Sequence, residues 1–447
     1  MREIFSLIIF LPILYWCIFI KNKDKFCPQN IVSILYLFSI AIPAFTIGWY
    51  EHLSISLPTV FTNACKNDVI FIEYIILQVI CYFLMIAGLN FNIRLFDKKR
   101  LASNNKDKKI DISKLRIIAL FLFLIGLMAS VYFIQINGGF VFFLNNLRFR
   151  TVFLRESGFV KWFIPLTSYG TLIYIYTMKW KSKREVLLCV LLIVLSGLCT
   201  GMGGRKALII LIIEAMIIYN YKVKHFKIKD FISLKYMVVF ILLYIFMSGY
   251  KIMRNPEALD YLFNDPISFI EESNTSFLEI LLRESYVSHY LGVIEYFKDS
   301  DYWLGSSFLG FVTAFVPSFI FPSKPPVDDG MYLYSIALGR KDIFPVMPYE
   351  ELNGSSLPLE TFGSMYANFG YIGLFVGMIL LGIIIGLVYR YMYTKSFNFT
   401  SVILYTNMVF GFHLSTLRIV QLLILSIMLF SLDLIISSYS KIRYRIL

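Results

Sequence analysis

The sequence is short of charge. Only 16% of its 447 residues are Asp, Glu, Lys or Arg, where a soluble chain carries about a quarter. With 58% hydrophobic residues and a mean hydropathy of +0.70, the apolar surplus belongs in lipid. Cysteine is scarce too. Cys17, Cys27, Cys65, Cys81, Cys189 and Cys199 contain no Cys-x-x-Cys pair, and four of them lie within or at the ends of apolar runs. That excludes a disulfide framework and a zinc signature. The sequence also lacks the cluster of His and Asp that a membrane acyltransferase would want. Repeats and low-complexity linkers are missing, so 1–447 reads as a single integral membrane domain. The first apolar run has no small-x-small exit and runs into Lys21-Asn-Lys-Asp-Lys25, so it reads as a retained helix rather than a cleaved signal peptide.

What is present is a series of apolar segments near the roughly 20 residues that a spanning helix needs. The sequence predicts an all-α polytopic membrane protein with about 11 transmembrane helices. They fall near 4–20, 31–49, 69–91, 117–134, 162–178, 186–201, 206–221, 236–250, 371–389, 399–416 and 419–437. Lys and Arg fix the orientation. The turns at 21–25, 94–116, 179–184, 222–235, 390–395 and 441–445 hold about 26 of the 42 Lys and Arg, so they read as cytoplasmic under the positive-inside rule. This bias also explains the net charge of +13 better than nucleic-acid binding does. The N-terminus then lies outside and the C-terminus inside. The polar interval 251–359, between helices 8 and 9, is extracytoplasmic. Within it, 305–321 is apolar, yet a crossing there would invert everything that follows. It reads as an interfacial or re-entrant helix ended by Pro322 and Pro325.

Cations on the outside run against that bias and need another reason. Arg148 and Arg155 lie seven residues apart after Gly138-Gly139-Phe140, on one face of an amphipathic surface helix; they serve a ligand or snorkel to headgroups. Gly203-Gly204-Arg205-Lys206 is a tight outside turn whose following helix turns its first amides toward an anion, with an Arg fork and a Lys charge suited to pyrophosphate. Arg254 and Arg283 lie in the long interval, where Arg283 either pairs with Glu284 or meets a ligand. His289, one of four histidines, has an ordinary pKa near 6.5 that suits a base. Arg418 stands at the outer end of the last helix, where a charge in the apolar layer is costly. Glu73, Glu214 and Asp433, inside apolar runs, read as partners between helices. Asp299-Ser-Asp301 has the form of a metal-binding pair for nucleotide sugars, but it lies on the side where those sugars are absent. Asp328-Asp329-Gly330 reads as a turn after Pro326.

The order of these features is specific. A Gly-Gly-Phe helix with arginines is followed by the Gly-Gly-Arg-Lys turn, by Leu304-Gly305-Ser-Ser, and by Pro322-Ser-Lys324-Pro325. Tyr366-Ala-Asn368-Phe-Gly370-x-x-Gly373 then opens a helix. Over roughly 130–420 the chain resembles bacterial oligosaccharide repeat-unit polymerases of the Wzy type, which assemble O-antigen or capsule; it departs from them at Phe319, where an Arg is commoner. The resemblance implies a bacterial cytoplasmic-membrane enzyme with its site facing the periplasm or cell exterior. Such an enzyme transfers a growing glycan from polyprenyl pyrophosphate onto the next lipid-linked repeat unit. No cofactor or metal is implied, because the donor is already activated. Both lipid-linked oligosaccharides are substrates, and a chain-length regulator is a possible protein partner. The implied pyrophosphate contacts are Arg205, Lys206, Arg283 and Arg418, with Arg148 and Arg254. Glu360 is the first candidate base and His289 the second, while Tyr366, Asn368 and Lys324 are candidate sugar contacts. Tyr366 and Asn368 serve equally well as a cap for the helix that follows. Two other readings stay open. An O-antigen ligase shares the donor and transfers to lipid A core. A lipid-linked oligosaccharide flippase would show more helices and shorter outside loops.

Overall fold

A computed structural model of the chain describes residues 2–20, 24–49, 59–94, 112–146, 160–201, 205–223, 285–316, 320–353 and 355–446, with 153, 264 and 265 besides. Among them the regular structure is helical, with no strand. This follows from the solvent. An apolar run in lipid must satisfy its own N–H and C=O groups, and a single segment does so only as a helix. Seven of these helices are long and apolar enough to cross a membrane: Arg2–Phe19, Pro28–Trp49, Asp68–Phe91, Ile112–Ile136, Lys183–Gly201, Glu360–Thr394 and Thr416–Leu434. The chain is therefore a polytopic membrane protein. The expected segment at 236–250 lies outside the described residues, as do most of 251–284. The segment near 162–178 is two short helices, Val160–Phe163 and Leu166–Thr177. The one at 206–221 is an 18-residue helix, Arg205–Lys222, that carries Arg205, Lys206, Glu214 and Lys222. The one at 399–416 stops at Gly411.

The described chain forms two compact units. The first comprises residues 1–103, 276–394 and 408–427, and the second 104–275, 395–407 and 428–447. In the second, Arg116 reaches across to Glu185 at 2.9 Å and also donates to the Thr177 carbonyl, so the cytoplasmic-reading ends of three helices are tied together. Phe133, Phe143 and Ile164 form a small buried cluster at the other end of the Ile112–Ile136 helix.

The first unit is built on the packing of Asp68–Arg94 against Glu360–Thr394. Gly88 and Gly382 face each other there, and a Cβ on either would collide with a backbone carbonyl of the partner helix. Small residues let two backbones approach in lipid, where no hydrophobic force draws helices together. Asn67 caps the first of these helices, its Oδ1 accepting from the Val69 amide at 3.1 Å. Local breaks have identifiable causes. The first apolar run is two helices, Arg2–Ile8 and Leu11–Phe19, with Pro12 opening the second. In Pro28–Trp49 a π-helical turn, Leu37–Ala41, precedes Pro43; proline has no N–H to continue the ladder, and the wider turn absorbs the defect.

The break that matters most is at Gly370. Its φ of 62° and ψ of −147° are non-helical and divide Glu360–Thr394 into two half-helices. Carbonyls freed by the break are taken up by a neighbouring segment. Trp303 N donates to Ala367 O at 2.9 Å, and Leu304 N to Asn368 O at 2.8 Å. Leu304 and Gly305 both have positive φ, 50° and 86°, which brings that strap alongside. Among the described residues, the apolar stretch after it contains the short helices Ser306–Phe308 and Leu309–Thr313. Together they are far below the length of a span.

Candidate active site

Glu360 is the first residue of its helix and has φ 49°. A non-glycine residue seldom adopts that conformation, and it is held there only by its surroundings. Those surroundings come from distant parts of the chain. The Tyr290 hydroxyl, from the helix Val287–Asp299, donates a short hydrogen bond to Glu360 Oε2. His413 Nε2, from the link between the last two helices, stands 3.5 Å from Oε1. Glu360 and His413 are each about a quarter exposed (24% and 25%), so the carboxylate is held by the protein while still open to a substrate. Behind it, Tyr74 and Phe362 pack on the Tyr290 ring. The Leu414 amide donates to Thr361 Oγ1 at 2.8 Å, which fixes the His413 link to the start of the same helix.

His289 lies one residue before Tyr290. Its ring stacks on Tyr286 and touches Phe61. Burial pushes its pKa down to about 4, against weaker upward pulls from the Pro358 carbonyl and Glu360. The imidazole is thus neutral near pH 7, and its Nδ1 is buried with no hydrogen-bond partner. It sits under the loop that leads into Glu360 rather than presenting a nitrogen to an open site.

The remaining candidates divide clearly. Tyr366 is 1% exposed, stacked on Phe362 and edge-on to Tyr302 and Tyr371. Asn368 is fully buried; its Nδ2 donates to Ser307 Oγ at 2.8 Å and to the Ser364 carbonyl at 2.7 Å. Both are committed to contacts with protein groups, and the bonds of Asn368 go to Ser307 and back to Ser364 rather than to amides of the helix that follows. Lys324 Nζ donates to the Val316 carbonyl at 2.7 Å and closes its own loop. Arg418, in the first turn of the last helix, donates from Nη1 to Gln421 at 2.8 Å and is half-buried. Arg205 and Lys206 open a helix of the second unit, with their side chains outside the described residues. Arg148, Arg254 and Arg283 lie outside them altogether. The structure therefore brings Glu360 together with Tyr290, His413 and His289 within the first unit, and does not describe the arginine cluster.

Two of these residues, Tyr290 and His413, were not singled out from sequence. The only available signal was that His413 is one of four histidines and stands five residues before Arg418. Glu73 does find the partners that its place in an apolar run demanded: the Tyr371 hydroxyl at 2.6 Å and Lys298 at 3.7 Å.

Chemically, a partly exposed carboxylate between a tyrosine hydroxyl and an imidazole suits proton abstraction from a hydroxyl. Comparison with protein-family models, with curated proteins and with solved structures finds no match.

Proposed function

We propose that this chain is a membrane glycosyltransferase that polymerises lipid-linked oligosaccharide repeat units. In this reading about eleven helices cross the bacterial cytoplasmic membrane, and the interval 251–359 faces outward. The observation that carries it is Glu360, which is held in a strained backbone conformation between Tyr290 and His413 yet remains open at its edge. An acceptor sugar hydroxyl gives its proton to Glu360 while its oxygen forms the new bond to the anomeric carbon of the donor. The bond from that carbon to the pyrophosphate oxygen breaks, and polyprenyl pyrophosphate leaves with the electron pair. The leaving group gains charge, which the outer cations singled out from the sequence would offset, Arg283 and Arg418 being those of the first unit. His289 supports the base rather than acting as one. The substrate class rests on the motif order of the sequence, and the base on the geometry.

The test uses the full-length protein in liposomes with a polyprenyl-pyrophosphate-linked repeat unit. Products of several repeats, with release of polyprenyl pyrophosphate and loss of both in Glu360→Gln, would support the reading. Products that form only on a lipid A core acceptor would make it a ligase. Movement of the lipid across the bilayer with no new glycosidic bond would make it a flippase.

A further inference from the structure

The turn Asp328-Asp329-Gly330 is built into the site described above. Asp329 opens the helix Gly330–Ala337 and is 3% exposed. Its Oδ2 accepts from the Ser364 hydroxyl at 3.1 Å. Its Oδ1 is buried with no hydrogen-bond partner; the Thr416 amide, at the start of the last helix, is near enough to the carboxyl to favour its charged form. A buried carboxylate is costly unless it is satisfied, so its retention here needs a reason.

The surrounding bonds supply one. Glu360, Ser364 and Asn368 recur at intervals of four and share one face of their half-helix. Asp329 holds the middle of that face through Ser364. Asn368 holds its end by bonding Ser307, and the Ser307 carbonyl accepts from Thr416 Oγ1 at 3.1 Å. Thr416 follows His413 by three residues, so the same network anchors the link that carries His413. On the other side of Glu360, the Leu357 amide donates to the Gly330 carbonyl at 2.9 Å. Gly330 packs so closely on Leu357 that a Cβ would collide with its carbonyl. The chain is thus held three residues before Glu360 and four residues after it by adjacent residues, Gly330 and Asp329.

We propose that Asp329 is a positioning residue. Through Ser364 and the start of the last helix, it sets the alignment of Glu360 with His413. This rests on the function proposed above and extends it to a residue that touches neither substrate. Burial, and next the neighbouring Asp328, raise the Asp329 carboxyl to about 7.

The experiment compares wild type, Asp329→Asn, Ser364→Ala and, as a control outside this network, the exposed Asp299→Asn, as full-length protein in detergent. The first readout needs no turnover: the rate at which diethyl pyrocarbonate modifies His413, followed by mass spectrometry per folded molecule. The second is kcat and KM on the lipid-linked repeat unit. The proposal expects faster His413 modification in Asp329→Asn and Ser364→Ala, and little change in Asp299→Asn. It expects kcat to fall about tenfold or more, as for loss of one buried hydrogen bond, with KM nearly unchanged. Unchanged His413 modification in both variants would overturn it, whether or not the unfolding midpoint falls. So would Asp329→Asn and Ser364→Ala enzymes with full kcat. If wild type makes no polymer but the two variants still expose His413, the positioning role stands and the polymerase reading falls.

Discussion

Glu360 is subject to three constraints at once: a positive φ, a hydroxyl donor on one oxygen and an imidazole near the other. Sequence reasoning reached Glu360 only as the first candidate base that the family resemblance implies. It did not reach Tyr290 or His413, which lie 70 and 53 residues away in the chain and meet it only through packing. Glu360→Gln keeps the shape and the hydrogen bond from Tyr290 but removes the base. Its transfer rate should fall about 10²- to 10⁴-fold, the usual range for general-base catalysis, measured as polyprenyl pyrophosphate released at equal protein. His289 makes a separate prediction. Its folded pKa of about 4 lies below the ordinary value of 6.5 because burial disfavours the cation. The unfolded chain therefore binds more protons between those values, and the stability that comes from keeping His289 neutral is lost as pH falls from about 6.5 toward 4. His289→Gln should flatten this acid-side decline in the unfolding midpoint. A slope unchanged from wild type would assign the acid sensitivity to another group.

At the scale of elements, apolar runs were readable because lipid leaves a helix little alternative. The breaks within them were less readable, because each depends on a partner. The boundary expected at 371 coincides with the Gly370 break. The half-helix before it, Glu360–Phe369, does not look like a membrane helix because Ser364, Tyr366 and Asn368 are polar. They are tolerated because Asp329, Ser307 and Tyr371 answer them. Broken helices of this kind occur in membranes where neighbouring backbone satisfies the freed groups, as Trp303 and Leu304 do here. Gly370→Ala would place a side chain at φ 62°, ψ −147° and set its Cβ 2.8 Å from the Tyr302 ring. It should cost about 1–3 kcal/mol, read as a lower unfolding midpoint. A stability equal to wild type would mean that the two half-helices rejoin when the glycine is lost.

At the scale of the molecule, the charge asymmetry of the turns predicts which side each faces. A single cysteine at Ser300, just past the Val287–Asp299 helix, should react with an impermeant reagent on intact cells, and one at Ser103 should not. The reverse pattern would put Glu360 on the cytoplasmic side, away from outer-leaflet donors. The central claim is that this chain joins repeat units, and the most direct measurement is the surface polysaccharide of cells lacking the gene, run on a gel. The account predicts that deletion leaves the single-repeat product. Wild-type protein should restore the ladder of long chains, and Glu360→Gln at the same membrane level should not. A full ladder without the gene, or one restored equally by Glu360→Gln, would contradict it.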